Sequence, residues 1–384
     1  MSKTNFLEKI KPTFTKGGKL GFLQSTFEGF ETFMFVPKTV THKGSHVRDC
    51  NDLKRVMIIV VVALMPAFLF GIYNIGYQFN LATNAGMGFW DMAWFGFLKI
   101  LPLYLVSYIV GLGIEFAFAQ VKGHEINEGY LVTGMLIPLI MPVDVPLWML
   151  ALAVAFSVII GKEVFGGTGM NIWNPALLAR AFLFFAYPSH MSGDKVWIAD
   201  MGKSEAIVDG FSGATPLADA AAGLTIPSFM DMFIGLIPGS VGETSVIAIL
   251  IGAVILVWTG VANWRIIVSC VAGALAIGFL ANTFAADSSA YAAMPAWNHL
   301  VMGGFAFGAV FMATDPVTSS QTTAGKWIYG FLIGAVAVII RLFNPGYPEG
   351  MMLAILLMNT FAPLIDHYVV QNNISKRLKR ANVK

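Results

Sequence analysis

The sequence predicts an all-α integral membrane protein with about ten transmembrane helices. Hydrophobic residues make up 57% of the 384 residues and charged residues only 12%, about half the charged fraction of a soluble domain. The apolar stretches are near 20 residues long, which is the length of a membrane-spanning helix and not of the strands of a membrane β-barrel. The mean hydropathy of +0.71 agrees with this class.

Ten apolar segments follow a polar N-terminal region. They lie near residues 55–73, 96–119, 129–143, 146–162, 175–188, 243–260, 264–282, 298–313, 327–342 and 350–369. The third, fifth and eighth segments are short and interrupted by glycine or proline. Such interruptions predict broken or re-entrant elements that line a cavity.

The distribution of Lys and Arg predicts the orientation of these helices. Counting ten crossings from a cytoplasmic N-terminus places most of the 24 Lys and Arg residues on the inner side, as the positive-inside rule requires. The sequence thus predicts a basic cytoplasmic arm at 1–54, a transmembrane domain at 55–369 and a basic cytoplasmic tail at 370–384. Residues 189–242 then form an outer, periplasmic loop.

Short fragments recur in the two halves of the chain. The matching pairs are Asn127-Glu128-Gly129 with Pro348-Glu349-Gly350, and Asn174-Pro175 with Asp315-Pro316. Two related halves of five helices would have opposite orientations in the membrane, because five is odd, as in many transporters. Chance similarity between such short fragments is the alternative.

Ionisable side chains inside the apolar segments are candidates for an ion path, because a charge within a bilayer is costly and is usually functional. Glu115 lies within the second segment, Glu163 ends the fourth, and Asp366 lies near the end of the tenth. The alternative is structural: Glu163 pairs with a cation at the inner interface, where Lys162 also lies, and Asp366 meets water.

Amide side chains occur at membrane depth beside Thr168. Asn171 and Asn174 lie at the start of the fifth apolar segment. Their donors and acceptors could hydrogen-bond the edge of a planar polar heterocycle. Alternatively, they cap a broken helix.

Other cofactor sites find little support in the sequence. Cys50 lies in the basic arm and Cys270 inside a helix, so neither a disulfide nor a metal centre is expected. There is no phosphate-binding loop of the ATPase type. The glycine-rich stretch Gly166-Gly167-Thr168-Gly169 follows a helix, whereas a dinucleotide fingerprint follows a strand. The chain is not expected to bind ATP, NADH or nucleic acid itself.

A polar stretch with an open hydroxyl lies in the longest gap between apolar segments. It reads Asp209-Gly210-Phe211-Ser212-Gly213-Ala214-Thr215. Taken alone, these residues are typical of a surface turn. The small residues before Thr215 leave its hydroxyl sterically accessible on the predicted outer loop, so a functional role for this hydroxyl is the second interpretation.

These residues together resemble a known family. The pattern Asp209-x-x-Ser212-Gly213-Ala214-Thr215 is similar to the flavinylation motif in which a threonine hydroxyl forms a phosphoester with FMN. Further blocks, in the same order along the chain, resemble the B subunit of the sodium-translocating NADH:quinone reductase. These blocks begin at Ser45, Asp52, Gly161, Asn174, Arg180 and Tyr347.

The resemblance implies a redox function and a set of partners. Members of that family take electrons from a flavin on a partner subunit into their covalent FMN. The electrons pass to a non-covalent riboflavin and then to ubiquinone, and the complex exports sodium ions. A flavin supplies one- and two-electron chemistry that no side chain provides.

The resemblance also implies a cellular setting. The expected partners are five further subunits (A, C, D, E and F), membrane lipid in a bacterial inner membrane, and a flavin transferase that acts outside the cytoplasm.

Roles for individual residues follow from the same resemblance. Thr215 is expected to anchor FMN, with Asp209, Ser212, Gly213 and Ala214 as the recognition context. The expected riboflavin contacts are Asn171, Asn174 and Thr133. The expected quinone-binding residues are Gly111, Phe182 and Phe184. Glu115 and Asp366 match acidic positions linked to sodium passage.

Two further expectations concern the quinone pocket and the phosphate. The family often has two adjacent glycines where this chain has Gly111 followed by Leu112, which puts the shape of the quinone pocket in question. Arg180, Lys195 and Lys203 are the nearest outer cations in sequence and are expected to offset the charge of the FMN phosphate.

Three alternatives stand beside this interpretation. The D subunit of the related Rnf complex carries a similar flavinylated threonine, but its members generally lack the long basic arm and the block from Ser45 to Arg55. A channel or carrier of the urea-transporter type would have no flavin. A structural membrane protein without a cofactor would leave the Thr215 motif unexplained.

Overall fold

The fold is helical throughout the part of the chain that the structure describes. The structure is a computed structural model, and it describes residues 6–14, 21, 27, 43–45, 53–122, 129–201, 211–286, 289–344 and 348–381. No β-strand occurs in these residues. Most of the predicted basic arm, together with Asp209 and Lys203, lies outside them.

The first half of the chain contains a short helix in the arm and five membrane elements. The helices are α1 (Phe6–Phe14), α2 (Leu53–Thr83), α3 (Phe89–Lys122), α4 (Tyr130–Leu139), α5 (Leu147–Val158) and α6 (Pro175–Ala186). A π-helical turn, Ile159–Glu163, extends α5.

The second half repeats this arrangement after two short helices. The short helices are α7 (Pro216–Ala221) and α8 (Phe229–Ile234). The elements that follow are α9 (Val246–Trp258), α10 (Trp264–Phe284), α11 (Ala290–Ala293), α12 (Asn298–Val301), α13 (Phe305–Phe307), α14 (Thr323–Phe343) and α15 (Met351–Ala381). A π-helical turn, Gly308–Met312, extends α13.

The ten predicted apolar segments each correspond to helical structure. Among the described residues, five helices are long and apolar enough to cross a membrane: α2, α3, α10, α14 and α15. The predicted third and fifth segments are the short helices α4 and α6, and the eighth is divided into α12, α13 and the second π turn. The prediction of an all-α integral membrane protein with broken elements is confirmed.

The last helix extends beyond the predicted tenth apolar segment. The sequence predicts that the tenth segment ends near residue 369 and is followed by a tail, whereas α15 continues to Ala381. No glycine or proline interrupts residues 370–381, so the helix has no breaker there. Residues 371–381 are exposed along this extension.

Glycines allow the long helices to pack with their backbones in contact. A Cβ atom at Gly76 or Gly96 would collide with the backbone of the facing helix in the α2–α3 pair. The same holds for Gly273 and Gly334 between α10 and α14. Membrane helices associate through such close van der Waals packing, because the lipid removes the hydrophobic driving force between them.

The two halves pack in matching ways. In the first half α3 packs against α5, and α5 against α6. In the second half α10 packs against α14, and α14 against α15. The helices that open the halves, α2 and α9, contact each other, as do the helices that close them, α6 and α15.

Equivalent helices of the two halves run in opposite directions. Gly252 of α9 packs on Ala63 of α2, whereas Val241, which precedes α9, packs on Gly71 further along α2. Trp173, which precedes α6, donates a hydrogen bond to Thr360 in α15. The halves therefore form an inverted repeat.

The short recurring fragments do not mark equivalent positions in this repeat. The fragment that ends at Gly129 precedes α4, whereas the fragment that ends at Gly350 precedes α15, which is equivalent to α6. The similarity between these two fragments is therefore not explained by the repeat.

Candidate functional site

Two cavities lie near opposite ends of α6. The first, here called the Asn174 cavity, is lined by Thr133, Lys162, Asn171, Asn174 and Asp315 among others, with about 800 Å³ of empty space. The second, here called the Thr215 cavity, is lined by Arg180, Phe184, Trp197, Thr215, Glu243 and Glu349 among others, with about 720 Å³. Both volumes include space that is open to solvent.

Thr215 is held at the start of α7. Its side-chain oxygen accepts a hydrogen bond from the backbone N–H of Ala218 at 3.2 Å, and Pro216 occupies the first helical position. Both features are typical of a helix N-terminus. The side chain is half-buried and lines the Thr215 cavity.

The small residues before Thr215 have a packing role. Gly213 is buried, and a Cβ atom at this position would collide with the carbonyl oxygen of Asp194 and the sulfur of Met201. The backbone N–H of Ala214 donates to Ser212 Oγ at 3.3 Å. Gly213 therefore lets the stretch lie directly against the segment that contains Asp194 and Met201.

A buried charge cluster borders the Thr215 cavity. Arg180 donates from Nη1 to both carboxylate oxygens of Glu243, at 2.8 and 2.9 Å. Its Nη2 donates to Glu349 at 2.6 Å and to Ser240 at 3.3 Å. Such paired, charge-assisted contacts are among the stronger polar interactions. The predicted phosphate-binding cation thus already holds two carboxylates.

Glu349 is the acid of this cluster whose carboxyl has a raised pKa. Burial raises the pKa of its carboxyl, Arg180 opposes that rise, and the nearby charge of Glu243 adds to it. Fully buried Arg341 donates to the backbone oxygens of His299, Met302 and Glu349. Two arginines and two glutamates therefore balance in charge beside the Thr215 cavity.

The Asn174 cavity contains all three residues expected to contact riboflavin. Thr133 comes from α4, while Asn171 and Asn174 precede α6. Asn174 caps α6, because its side-chain oxygen accepts from the backbone N–H of Ala176 at 3.0 Å. The capping interpretation is confirmed for Asn174, and the same side chain lines the cavity.

Asp315 joins the second half of the chain to this cavity. Its carboxylate accepts hydrogen bonds from the Asn174 amide at 3.3 Å and from Thr318 Oγ1 at 3.1 Å. Burial raises the pKa of the Asp315 carboxyl, and these hydrogen bonds, with one from the backbone N–H of Val317, oppose the rise. The sequence pattern singled out Asp315 only as part of a recurring fragment.

Glu115 forms a buried ion pair with Lys162. Both residues are at most 5% exposed. Lys162 lies in the π turn after α5 and also lines the Asn174 cavity. The neighbouring Glu163 pairs with Lys122 at 3.4 Å, so the structural alternative for Glu163 holds with a different cation.

Asp366, in α15, accepts four hydrogen bonds from residues at the start of α14. It accepts hydrogen bonds from Ser320 Oγ at 2.6 Å and from Gln321 N at 2.7 Å. It also accepts from Thr322, through the backbone N–H at 3.0 Å and the hydroxyl at 2.6 Å. Among the described residues, Glu115 and Asp366 therefore have no hydrogen-bond or ion-pair partner in common.

The three residues expected to bind quinone lie in different surroundings. Gly111 packs directly on the ring of Tyr130, where a side chain would collide. Phe182 stacks on Phe156 with ring centroids 4.6 Å apart. Phe184 lines the Thr215 cavity, whereas Gly111 lies by the start of α4.

No cluster of three or more His, Cys, Asp or Glu side chains is placed to hold a metal ion within the described ranges.

Comparison with known proteins identifies the family. The profile of the NQR2, RnfD, RnfE family matches residues 40–375. The B subunit of the Na(+)-translocating NADH-quinone reductase of Ectopseudomonas mendocina is 48% identical, over 98% of each chain. The corresponding B subunit of Pseudomonas paraeruginosa is 47% identical, over 99% of this chain and 100% of its own.

A more divergent relative extends the comparison. The B subunit of the same enzyme from Chromohalobacter salexigens is 46% identical, over 99% of this chain and 97% of its own length. These alignments run along nearly the whole chain and confirm the resemblance inferred from the motif blocks. The chain belongs to the NQR2, RnfD, RnfE family, and to the B subunits of Na(+)-translocating NADH-quinone reductases within it.

Proposed function

We propose that this chain is the membrane subunit that relays electrons between flavins in a complex that oxidises NADH, reduces ubiquinone and exports sodium ions. The family and the names of its relatives support the class of complex. The arrangement of the two cavities supports the relay.

The observation that carries the proposal is the position of the cavities along α6. Thr215 lines one cavity together with Phe184, and Asn174 lines the other. From Asn174 to Phe184 the helix rises about 15 Å, at about 1.5 Å per residue. One short helix therefore links the proposed FMN anchor to the proposed riboflavin cavity.

The Thr215 cavity suits a tethered FMN. A phosphoester on Thr215 Oγ1 would leave the flavin ring free to enter the cavity, where Trp197 and Phe184 offer apolar aromatic surface. The tether would keep the cofactor at high effective concentration. FMN would supply the one- and two-electron chemistry, while this chain positions it.

The Asn174 cavity suits riboflavin. The hydroxyl of Thr133 and the amides of Asn171 and Asn174 provide the donors and acceptors that a flavin ring edge requires. The apolar side chains Val132, Leu136 and Phe311 provide the remaining walls, as is usual in cofactor pockets.

The routes of quinone and sodium complete the proposal. Gly111, Phe182 and Phe184 are the proposed quinone contacts, and Glu115 and Asp366 the proposed acidic groups of the sodium path. In this proposal both termini are cytoplasmic and the Thr215 loop is periplasmic, in a bacterial inner membrane. Maturation requires a flavin transferase, and assembly involves the other five subunits (A, C, D, E and F).

The attachment of FMN is tested by fluorescence of the denatured chain. The protein is produced in cells that contain the flavin transferase and is separated on a denaturing gel. We expect a band that fluoresces under ultraviolet light for the wild-type chain and no fluorescence for Thr215→Ala, because the phosphoester oxygen is lost.

The control is Thr225→Ala, at an exposed threonine nearby in the same predicted outer loop. It should fluoresce like the wild-type chain. A dark wild-type band would overturn the proposal, and a fluorescent Thr215→Ala band would move the anchor to another residue.

A non-redox channel is the second candidate function. Inverted halves of five membrane elements with broken helices also occur in transporters that carry no cofactor. That function predicts a dark band for the wild-type chain, so the same gel separates the two candidates.

A further inference from the structure

The segment before α6 carries two amides of the Asn174 cavity but has little backbone support of its own. Asn171 and Asn174 both line the cavity. No backbone N–H of residues 171–174 donates to a backbone oxygen of another described residue. A segment without regular backbone hydrogen bonds keeps one conformation only where tertiary contacts hold it. The contacts that hold residues 171–174 therefore decide where the two amides lie.

Two consecutive residues of α15 provide these contacts. The side-chain oxygen of Asn359 accepts from the backbone N–H of Asn174 at 3.2 Å, in the amide orientation that satisfies both ends of the Asn359 side chain. The hydroxyl of Thr360 accepts from Trp173 Nε1 at 2.9 Å. The carbonyl oxygen of Trp173 in turn accepts from the side-chain amide of Asn171 at 3.0 Å. α15 thus holds Trp173 and Asn174 directly, and Asn171 through Trp173.

Asn359 is itself fixed by its surroundings. Its amide nitrogen donates to Tyr329 Oη at 2.6 Å and to the carbonyl oxygen of Ile355 at 3.2 Å. Asn359 is 1% exposed and Tyr329 is fully buried. Buried polar groups with their partners in place make a rigid network, whereas a buried group that loses its partner is costly. Neither residue is among those that line the Asn174 cavity, so both can act on the cavity only through the segment before α6.

The side chain of Asn174 leaves one donor for a ligand. Its oxygen caps α6 by accepting from the backbone N–H of Ala176, and its amide group donates to Asp315. An amide group carries two donors, so the second remains available. The direction of that donor follows from the backbone position of Asn174. A site binds its ligand well only when such donors are held in place before binding.

We propose that Asn359 and Thr360 are positioning residues for the Asn174 cavity. They hold residues 171–174 so that the amides of Asn171 and Asn174 meet the bound ligand in one geometry. Tyr329 supports this arrangement through Asn359. The inference rests on the proposed function, since it takes the ligand to be riboflavin, whose ring edge forms hydrogen bonds. It assigns flavin retention to side chains that do not line the cavity.

The test is the rate at which riboflavin leaves the purified whole complex. The complex is diluted well below its unfolding temperature, and the riboflavin that passes a filter is quantified at intervals. Loss of one hydrogen bond of this kind typically weakens an interaction about three- to tenfold. We expect Asn359→Leu and Thr360→Val to release riboflavin faster by that factor, with the content of covalent FMN unchanged.

The Thr360 variants keep the test decisive if Asn359→Leu does not fold. Thr360 is exposed, so its replacement leaves no buried group without a partner. Thr360→Ser retains the hydroxyl that accepts from Trp173 and should release riboflavin at the wild-type rate. A purely structural effect of position 360 would not follow the hydroxyl in this way.

The matched control is a structural amide far from the cavity. Asn282 in α10 donates to the carbonyl oxygens of Ala292 and Met294, both at 2.6 Å, and none of these residues lines the Asn174 cavity. Asn282→Leu should lower the unfolding temperature, as Asn359→Leu does, but it should leave the release of riboflavin unchanged.

The outcomes separate this inference from the proposed function. The non-covalent flavin of the wild-type complex is first released by acid and quantified. If none is present, the proposed function fails, and this inference with it. If flavin is present and Thr360→Val releases it at the wild-type rate, the inference is overturned and the relay stands. Equal acceleration by Thr360→Ser, or by Asn282→Leu, would also overturn it.

Discussion

Arg180 connects parts of the chain that are far apart in sequence. Its partners Glu243 and Glu349 lie 63 and 169 residues away, so no local pattern could reveal them. The sequence did indicate a cation near Thr215, and Arg180 does line the Thr215 cavity. The packing of α6 against α15 and against the segment before α9 decides which carboxylates Arg180 contacts.

Replacement of Arg180 should therefore affect stability strongly. Arg180→Gln leaves two buried carboxylates without their cation, which costs about 3–5 kcal/mol for a buried pair. We expect a clear drop in the temperature at which the detergent-solubilised protein loses its folded structure. Glu349→Gln should cost less, because Glu243 still pairs with Arg180.

The matched control for this prediction is a more exposed ion pair. Lys99 contacts Asp200 at 2.5 Å, with the lysine side chain 32% exposed. Exposed pairs contribute about 0–1 kcal/mol, so Lys99→Gln should change the unfolding temperature little. An equal effect of Arg180→Gln and Lys99→Gln would show that the buried cluster is not structural.

At the scale of single elements, breaks in the helices create the candidate sites. α4 is short, and the chain between its end and α5 contains Pro142 and Pro146. The chain before α6 contains positive-φ glycines at 166, 167 and 169, conformations that a side chain disfavours. These breaks were predictable from composition. Their convergence on the Asn174 cavity was not, because it requires α4, α6 and the segment after α13 to meet.

Two glycines of α3 provide a test of element packing. Gly111→Ala would drive a methyl group into the ring of Tyr130, and overpacking of this kind typically costs about 1–3 kcal/mol. We expect a lower unfolding temperature and, if α4 shifts, weaker binding of a quinone-site inhibitor. Both are measured on the solubilised complex.

Gly113→Ala is the control two residues along the same helix. A Cβ atom at Gly113 meets nothing within 4 Å, and alanine is the better helix former by about 1 kcal/mol. The variant should be at least as stable as the wild type. Equal losses for Gly111→Ala and Gly113→Ala would contradict a packing role for Gly111.

The inverted repeat sets the geometry of the whole molecule. α6 begins at the Asn174 cavity, and its counterpart α15 begins next to Glu349 at the Thr215 cavity. Since α6 and α15 run in opposite directions, the two cavities face opposite ends of the bundle. The proposed relay would therefore run between the two ends of the bundle.

Orientation in the membrane is tested by labelling introduced cysteines. Cys50 and Cys270 are first replaced by serine. Lys195→Cys, in an exposed position beside the Thr215 cavity, should then react with an impermeant maleimide in intact spheroplasts. Asn372→Cys, exposed near the end of α15, should react only after the membrane is opened. Labelling of both positions from the same side would contradict the proposed topology.

The sequence alone determined the membrane class and the ten apolar elements. It also indicated Thr215 as the candidate anchor. Hydropathy and breakers act locally, so they can be read from neighbouring residues. The tertiary structure decided that Lys162 pairs with Glu115, that Arg180 holds two carboxylates, and that Thr133 joins Asn174 in one cavity. These contacts join residues up to 169 positions apart, and only the folding of two inverted halves against each other brings them together.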